Sequence, residues 1–217
     1  MTLLHYLPYY FVFLYLLCGS TMMAQDSKFN HWSAELTTGI HAPLTRSKGP
    51  SRSEYIAFKQ FELAGRYMFS ENFGIKGHYA YNRFADPNNS QMGISLNRIG
   101  LEGVANIGKL LNVDYRLREL LGLLFHTGLG VTLASPSSAN DIDKIGNVIL
   151  GFTGEIKLND RFTLLGDMTY VANFKQQYRF NGTVVKNIES LEIQSFVNLS
   201  IGLMYNLGDG KYHADWY

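Results

Sequence analysis

His41, His78 and His126 are the side chains of this sequence best placed to exchange protons near neutral pH. Each lies in a segment that also carries carboxylates or hydroxyls, so a His-Ser-Glu hydrolase site is a chemically conceivable arrangement. The alternation described below turns all three toward an interior, where pairing with other polar residues is the expected role. Asp141-x-Asp143 supplies two carboxylates in a linking segment, too few oxygens to hold calcium, and reads as a solvated loop. Gly128-Leu129-Gly130 lacks the third glycine and following helix of a dinucleotide loop. Small residues in a crowded wall explain it better. Asn198-Leu199-Ser200 fits a glycosylation acceptor only formally, because it falls within a strand pattern. HExxH, GxSxG and EF-hand patterns are absent from the sequence, and no metal or cofactor is expected.

The elements that position these residues begin after an apolar N-terminal stretch. Leu3 to Leu17 is apolar and aromatic, small and polar residues follow, and Ala24-Gln25 offers a cleavage point. Residues 1–24 are expected to be a secretory signal peptide, leaving 25–217 as one domain. The only cysteine, Cys18, falls inside that stretch, so the remainder offers no disulfide, thiolate catalyst or cysteine metal site.

From Asn30 onward the dominant signal has period two, the signature of strands with one apolar and one polar face. In the last segment Val197, Leu199, Ile201, Leu203, Tyr205 and Leu207 share one face, and Asn198, Ser200, Gly202 and Asn206 the other. Seven earlier segments repeat the pattern, each about the roughly 9–11 residues of a tilted membrane strand. In the fourth, Ser95 and Asn97 stand on the apolar face and are too polar to meet lipid along its whole length. The links alternate. Ser70-Glu71-Asn72 and Asn159-Asp160-Arg161 read as tight turns, and Pro43 to Glu54, Ala85 to Gln91, Ser135 to Ile145 and Asn181 to Ser190 as long loops. Short on one rim and long on the other is the outer-membrane barrel arrangement. Lys109 to Arg118 is long for the short rim, and the pattern offers no reason for it.

A soluble barrel would show the same alternation inverted, so the polar face decides direction. It carries Glu35, Glu62, Glu102, Glu155 and Asp167 against Arg66, Lys76, Arg98 and Lys157, near balance in sign. Charges enclosed in a narrow barrel must pair, whereas charges in water need not. These nine residues are therefore expected to form a lumen ion-pair network. The opposite face lacks charge and places Trp32, Phe69, Phe73, Phe162, Phe174 and Tyr205 near strand ends, as interface girdles do. A mean hydropathy of -0.07 is what alternation averages to. The formal net charge of +1 offers no field for nucleic acid.

The stretches FELAGRYMFSENFGIKGHYAYNRF (61–84), NRIGLEGVANIGKLL (97–111), LLGLLFHTGLGVTL (120–133), IGNVILGFTGEIKLNDRFTLLGDMTYVANFKQQ (145–177) and SIGLMYNLG followed by HADWY resemble the N-terminal membrane barrel of OmpA-like outer-membrane proteins. The resemblance implies eight strands around a closed, polar interior. In that family a segment like HADWY leads into a periplasmic peptidoglycan-binding domain. Here Tyr217 is the last residue, so cell-wall tethering is not carried over.

The expected protein is thus all-β: an eight-stranded antiparallel up-and-down transmembrane barrel with a short C-terminal periplasmic tail, not an enzyme. Its expected place is the outer membrane of a Gram-negative bacterium. Its expected role is structural, supporting membrane integrity and displaying surface loops. Expected partners are outer-membrane lipids, lipopolysaccharide, the barrel-assembly machinery and an unknown surface or cell-wall partner. A narrow passive pore and a lipid A-modifying enzyme are the competing readings.

Overall fold

The computed structural model describes residues 29–44, 56–85, 92–139, 141–185 and 193–217. The expected signal peptide, Cys18 and parts of the long loops lie outside them. Eight antiparallel strands follow one another around a closed barrel: β1 (Trp32–Pro43), β2 (Ala57–Met68), β3 (Phe73–Ala85), β4 (Gly93–Asn106), β5 (Leu121–Pro136), β6 (Asp143–Lys157), β7 (Phe162–Phe174) and β8 (Gln194–Leu207). Closure comes from twelve pairs between β1 and β8, from Trp32 opposite Leu207 to Pro43 opposite Phe196. Every strand therefore has a partner on both sides, the condition for crossing lipid without orphaned N–H and C=O groups.

Burial alternates along each strand as the period-two pattern requires. In β1 the residues Ser33, Glu35, Thr37, Gly39 and His41 are buried, and Trp32, Leu36 and Ile40 are exposed. The exposed face of the barrel is a continuous apolar wall, with Leu36, Ile99, Leu129, Ile201 and Leu203 among its members. A soluble barrel would bury these residues and expose the charges, so this wall suits hydrocarbon. The direction argued from charge balance is the one observed.

One rim carries both ends of the barrel and the tight hairpins; the other carries the long connections. Ser70 Oγ accepts from the backbone N–H of Asn72 and Phe73, and Asn159 Oδ1 does the same for Arg161 and Phe162. Short polar side chains closing their own turns explain both hairpins. Five girdle aromatics cluster on this terminal rim: Trp32, Phe69 and Phe73, together with the contacting pair Phe162 and Tyr205. Tyr67 packs between Trp32 and Phe69. Phe174 stands on the opposite, loop rim.

The strands run 12 to 16 residues, longer than the expected membrane strand. The extra length lies at the loop rim, where the outward face turns polar. Asn97 accepts from Tyr79 OH, and Ser95 accepts from Arg83. Ser95 and Asn97 do point outward, but above the apolar wall. The link that had no explanation, 107–120, holds two short helices, α1 (Ile107–Leu110) and α2 (Tyr115–Arg118).

A charge placed within the apolar wall is expected to act according to depth. Leu203→Arg should cost about 2–4 kcal/mol in equilibrium unfolding from lipid vesicles, and Asn97→Arg about 0–1 kcal/mol. Equal effects at the two positions would contradict the placement of the wall.

Candidate functional site

Inward-facing side chains divide the lumen into three layers. At the loop rim the interior is apolar, not polar as expected: Phe84, Ile94, Leu96, Ala134, Ile145, Val171 and Phe196 pack together. Two more members, Tyr178 and Phe180, come from the β7–β8 connection, which folds over the opening. Phe84 lies tilted against Phe180 at 4.5 Å between centroids and edge-to-face with Phe196 at 5.3 Å. This connection is tied down by the two aspartates read as loop carboxylates. Asp143 accepts from the Gln177 backbone N–H at 2.6 Å, and Asp141 accepts from Tyr178 OH at 2.8 Å. Asp143 is buried as a clamp in the mouth and departs from the solvated expectation, while Asp141 stays exposed and still receives the Tyr178 hydroxyl. His41 also differs from expectation. It pairs with no carboxylate among the described residues and lies against Phe84 at 4.1 Å.

The middle layer is built around Glu102 of β4. Lys76 approaches it at 3.4 Å, His78 Nδ1 at 2.8 Å and His126 Nδ1 at 2.5 Å. The other ring nitrogen of His126 meets Asp167 at 3.0 Å. Asp167 also accepts from Thr153 at 2.7 Å and Thr169 at 2.5 Å. Glu62 is shared between Lys76 at 3.5 Å and Arg98 at 3.9 Å, and the Arg98 guanidinium lies 5.8 Å from the Phe196 ring centre, beneath the apolar layer. Space for the imidazoles comes from glycines on facing strands. A Cβ at Gly100 would stand 2.4 Å from the His78 ring, and one at Gly151 would stand 2.4 Å from the His126 ring.

Below this, Arg66 of β2 holds three carboxylates: Glu35 at 2.8 Å, Glu155 at 2.7 Å and Asp215 at 3.1 Å. Asp215 comes from the tail. Gly208, at φ +126, turns the chain under the barrel. Asn30 then fixes the tail, exchanging side-chain bonds with Gly210 and backbone bonds with Tyr212 and Ala214. Ala214 packs against Met68, Val104 and Leu124, and Lys109 Nζ donates to its carbonyl at 3.0 Å. The tail is thus a stopper in the mouth. The void between Glu35, Arg66, Lys76 and His126 measures about 10 Å³, no more than a single water needs.

Of the nine residues expected in the network, Glu35, Glu62, Arg66, Lys76, Arg98, Glu102, Glu155 and Asp167 lie in the lumen and within ion-pair distance of a partner. Lys157 does not join them. It ends β6 at the terminal rim, where its ammonium reaches out of the bore to Asp160 at 3.2 Å and lies over the Tyr212 ring. His213 and Asp215, 2.8 Å apart, were missed because the tail has no period-two pattern to assign a face. The spacing His213-x-Asp215 after two glycines was the available signal. Six carboxylates consequently share Arg66, Lys76 and Arg98, and His78, His126 and His213 each lie within 3.0 Å of one of those carboxylates. The described residues hold no grouping of three or more His, Cys, Asp or Glu set for a metal ion. Both ring nitrogens of His126 face carboxylates, so neither is free to activate a hydrolytic nucleophile.

No protein-family profile and no curated protein matches the chain. Solved structures match its architecture. Neisserial surface protein A (NspA) is similar over 81% of this chain and 97% of its own, with a TM-score of 0.56 and 12% identity. A major outer membrane protein from Thermus thermophilus is similar over 82% of this chain and 98% of its own, with a TM-score of 0.51 and 10% identity. The chain has the fold of the small outer-membrane β-barrels. At these identities the likeness concerns strand number, order and closure, which agrees with the barrel implied by the OmpA-like stretches.

Two outcomes follow for the stopper. Arg66→Met leaves three carboxylates without their cation, and breaking a buried pair in this way should cost roughly 3–5 kcal/mol in vesicle unfolding. Asp215 lies outside the strands. Burial pushes its carboxyl up, but Arg66 and then His213 outweigh burial and hold it at about 2, below its ordinary 3.8. A folded value below the unfolded one means that tail docking is fully supported above the unfolded value and is lost as pH falls through the folded one. With Trp32 replaced by phenylalanine, Trp216 emission should shift red between about pH 4 and pH 2, and Asp215→Asn should flatten the change. An unchanged acid transition in Asp215→Asn would contradict the assignment.

Proposed function

We propose that this protein is a structural barrel of the outer membrane of a Gram-negative bacterium, closed to solutes, that supports membrane integrity and displays its loop-rim connections at the cell surface. The observation that carries the reading is the double closure of the lumen. An apolar layer fills the loop rim, the tail bearing Asp215 fills the terminal rim, and paired charges occupy the space between. Eight strands leave a bore that side chains can fill, and here they fill it. The apolar outer wall and the aromatic girdle support residence in lipid. Entry of the N-terminus from the periplasm sets the terminal rim there and the long connections outside. The partners that follow are outer-membrane lipids and lipopolysaccharide around the wall, the barrel-assembly machinery during insertion, and a surface or cell-wall partner at the rims.

Against the hydrolase reading, His126 is held between Glu102 and Asp167, and His78 between Glu102 and Arg98. The pore reading would need both closures to open together. In planar bilayers the purified full chain should give no unitary conductance, and in cells it should fractionate with the outer membrane and migrate on gels in a heat-modifiable way. A steady conductance in the unaltered protein would overturn the sealed reading. Recovery in the soluble fraction would overturn the membrane one.

A further inference from the structure

The 107–120 link is too long for a hairpin and is built unlike one. Asn106 caps α1 by accepting from the Lys109 backbone N–H at 3.1 Å, and Asp114 starts α2 by accepting from the Arg116 N–H at 2.9 Å. Between the helices Asn112 adopts φ 51, which reverses the chain within one turn. The segment therefore has a fixed shape and leans on the start of β5: the Gly108 backbone is close enough that a Cβ there would stand 3.6 Å from the Leu123 nitrogen.

Its apolar side chains are exposed. Leu110, Leu111, Val113, Leu117 and Leu120 are all open to the surroundings, Leu111 at 73%. Helical spacing sets their direction. Lys109 points beneath the bore, to Ala214 and Glu71. At 100° per residue Leu111 lies on the far side of α1 from Lys109, and one turn after Ile107, which continues the outward row of β4. Likewise Leu117 stands one turn before Leu121, an outward residue of β5. The exposed leucines therefore prolong the lipid-facing wall past the strand ends, while Arg118, half-buried, turns with Lys109 toward Trp216 and Tyr217 of the tail.

We propose that residues 107–120 form an interfacial foot that seats in the headgroup layer of the membrane leaflet on the terminal-rim side. The occupant is phospholipid, with its acyl chains against Leu111 and Leu117. Amphipathic segments that present leucines on one side bind interfaces in this way, by burying that side at the boundary of headgroups and acyl chains. The surface is continuous with the wall that already meets lipid, which favours lipid over a second protein.

The foot rests on the membrane reading above, and one experiment separates the two. With Cys18 replaced by serine, single cysteines at Leu111, Leu203 and Asp209 carry a nitroxide in the full chain, reconstituted in phosphatidylethanolamine and phosphatidylglycerol vesicles. The measurement is collision of the label with oxygen against collision with a water-soluble nickel chelate. Leu203 reports the wall and Asp209 reports water. The ratio at Leu111 should match Leu203 more closely than Asp209, and should exceed Asp209 several-fold. A water-like ratio at Leu111 with a lipid-like ratio at Leu203 overturns the foot alone. Water-like ratios at both overturn the membrane reading. Spin–spin broadening at Leu111 that disappears on dilution with unlabelled protein would assign the surface to a second copy and also overturn the proposal.

Discussion

Eight strands closed in register leave a bore that a single layer of side chains fills, and most of what this molecule does inside follows from that limit. There is no room for a charge to keep its water, so each ionised group must find a counterion or a donor on a facing strand. Arg66 meets Glu35, Glu155 and Asp215, and Glu102 meets Lys76, His78 and His126. The same limit requires glycine where a ring must lie. Gly100 and Gly151 are small because His78 and His126 occupy the volume their side chains would need.

The wall was more legible than the contents. Strand number and the inward or outward sense of Glu35, Leu36, Leu203 and Asn206 can be read from alternation, since a half-buried strand imposes it residue by residue. The apolar layer could not be read in that way. Ile145, Val171 and Phe196 point inward on the same face as Asn147, Asn173 and Asn198, so alternation assigns them a face but marks no apolar layer within it. The network was legible in membership but not in partners. Which carboxylate meets Arg66 depends on shear and on a tail that lies outside the strand pattern, so alternation assigned Asp215 no face and made Lys157 look eligible.

Both closures are completed by connections that turn in over inward-facing strand residues. At one rim Tyr178 and Phe180 turn in from the β7–β8 segment, and at the other Ala214 and Asp215 turn in from the tail. Each is held by a few specific bonds: Asp143 to the Gln177 amide and Asp141 to Tyr178 above, Asn30 to residues 210–214 below. A regular wall is thereby joined to irregular ends that carry the individuality of the protein, and the 107–120 link belongs with those ends.

The ion pairs also run across the bore. Arg66 connects β2 to β1 on one side and to β6 across the lumen, and His126 joins β5 to β4 and β7. Backbone ladders hold neighbours together but leave a tube free to flatten into an oval, since bending a sheet breaks none of its rungs. Spokes between strands that are not neighbours resist that deformation. Lateral pressure from the bilayer is then borne by the diameter as well as by the circumference, and the barrel keeps a round section with no fluid core to support it.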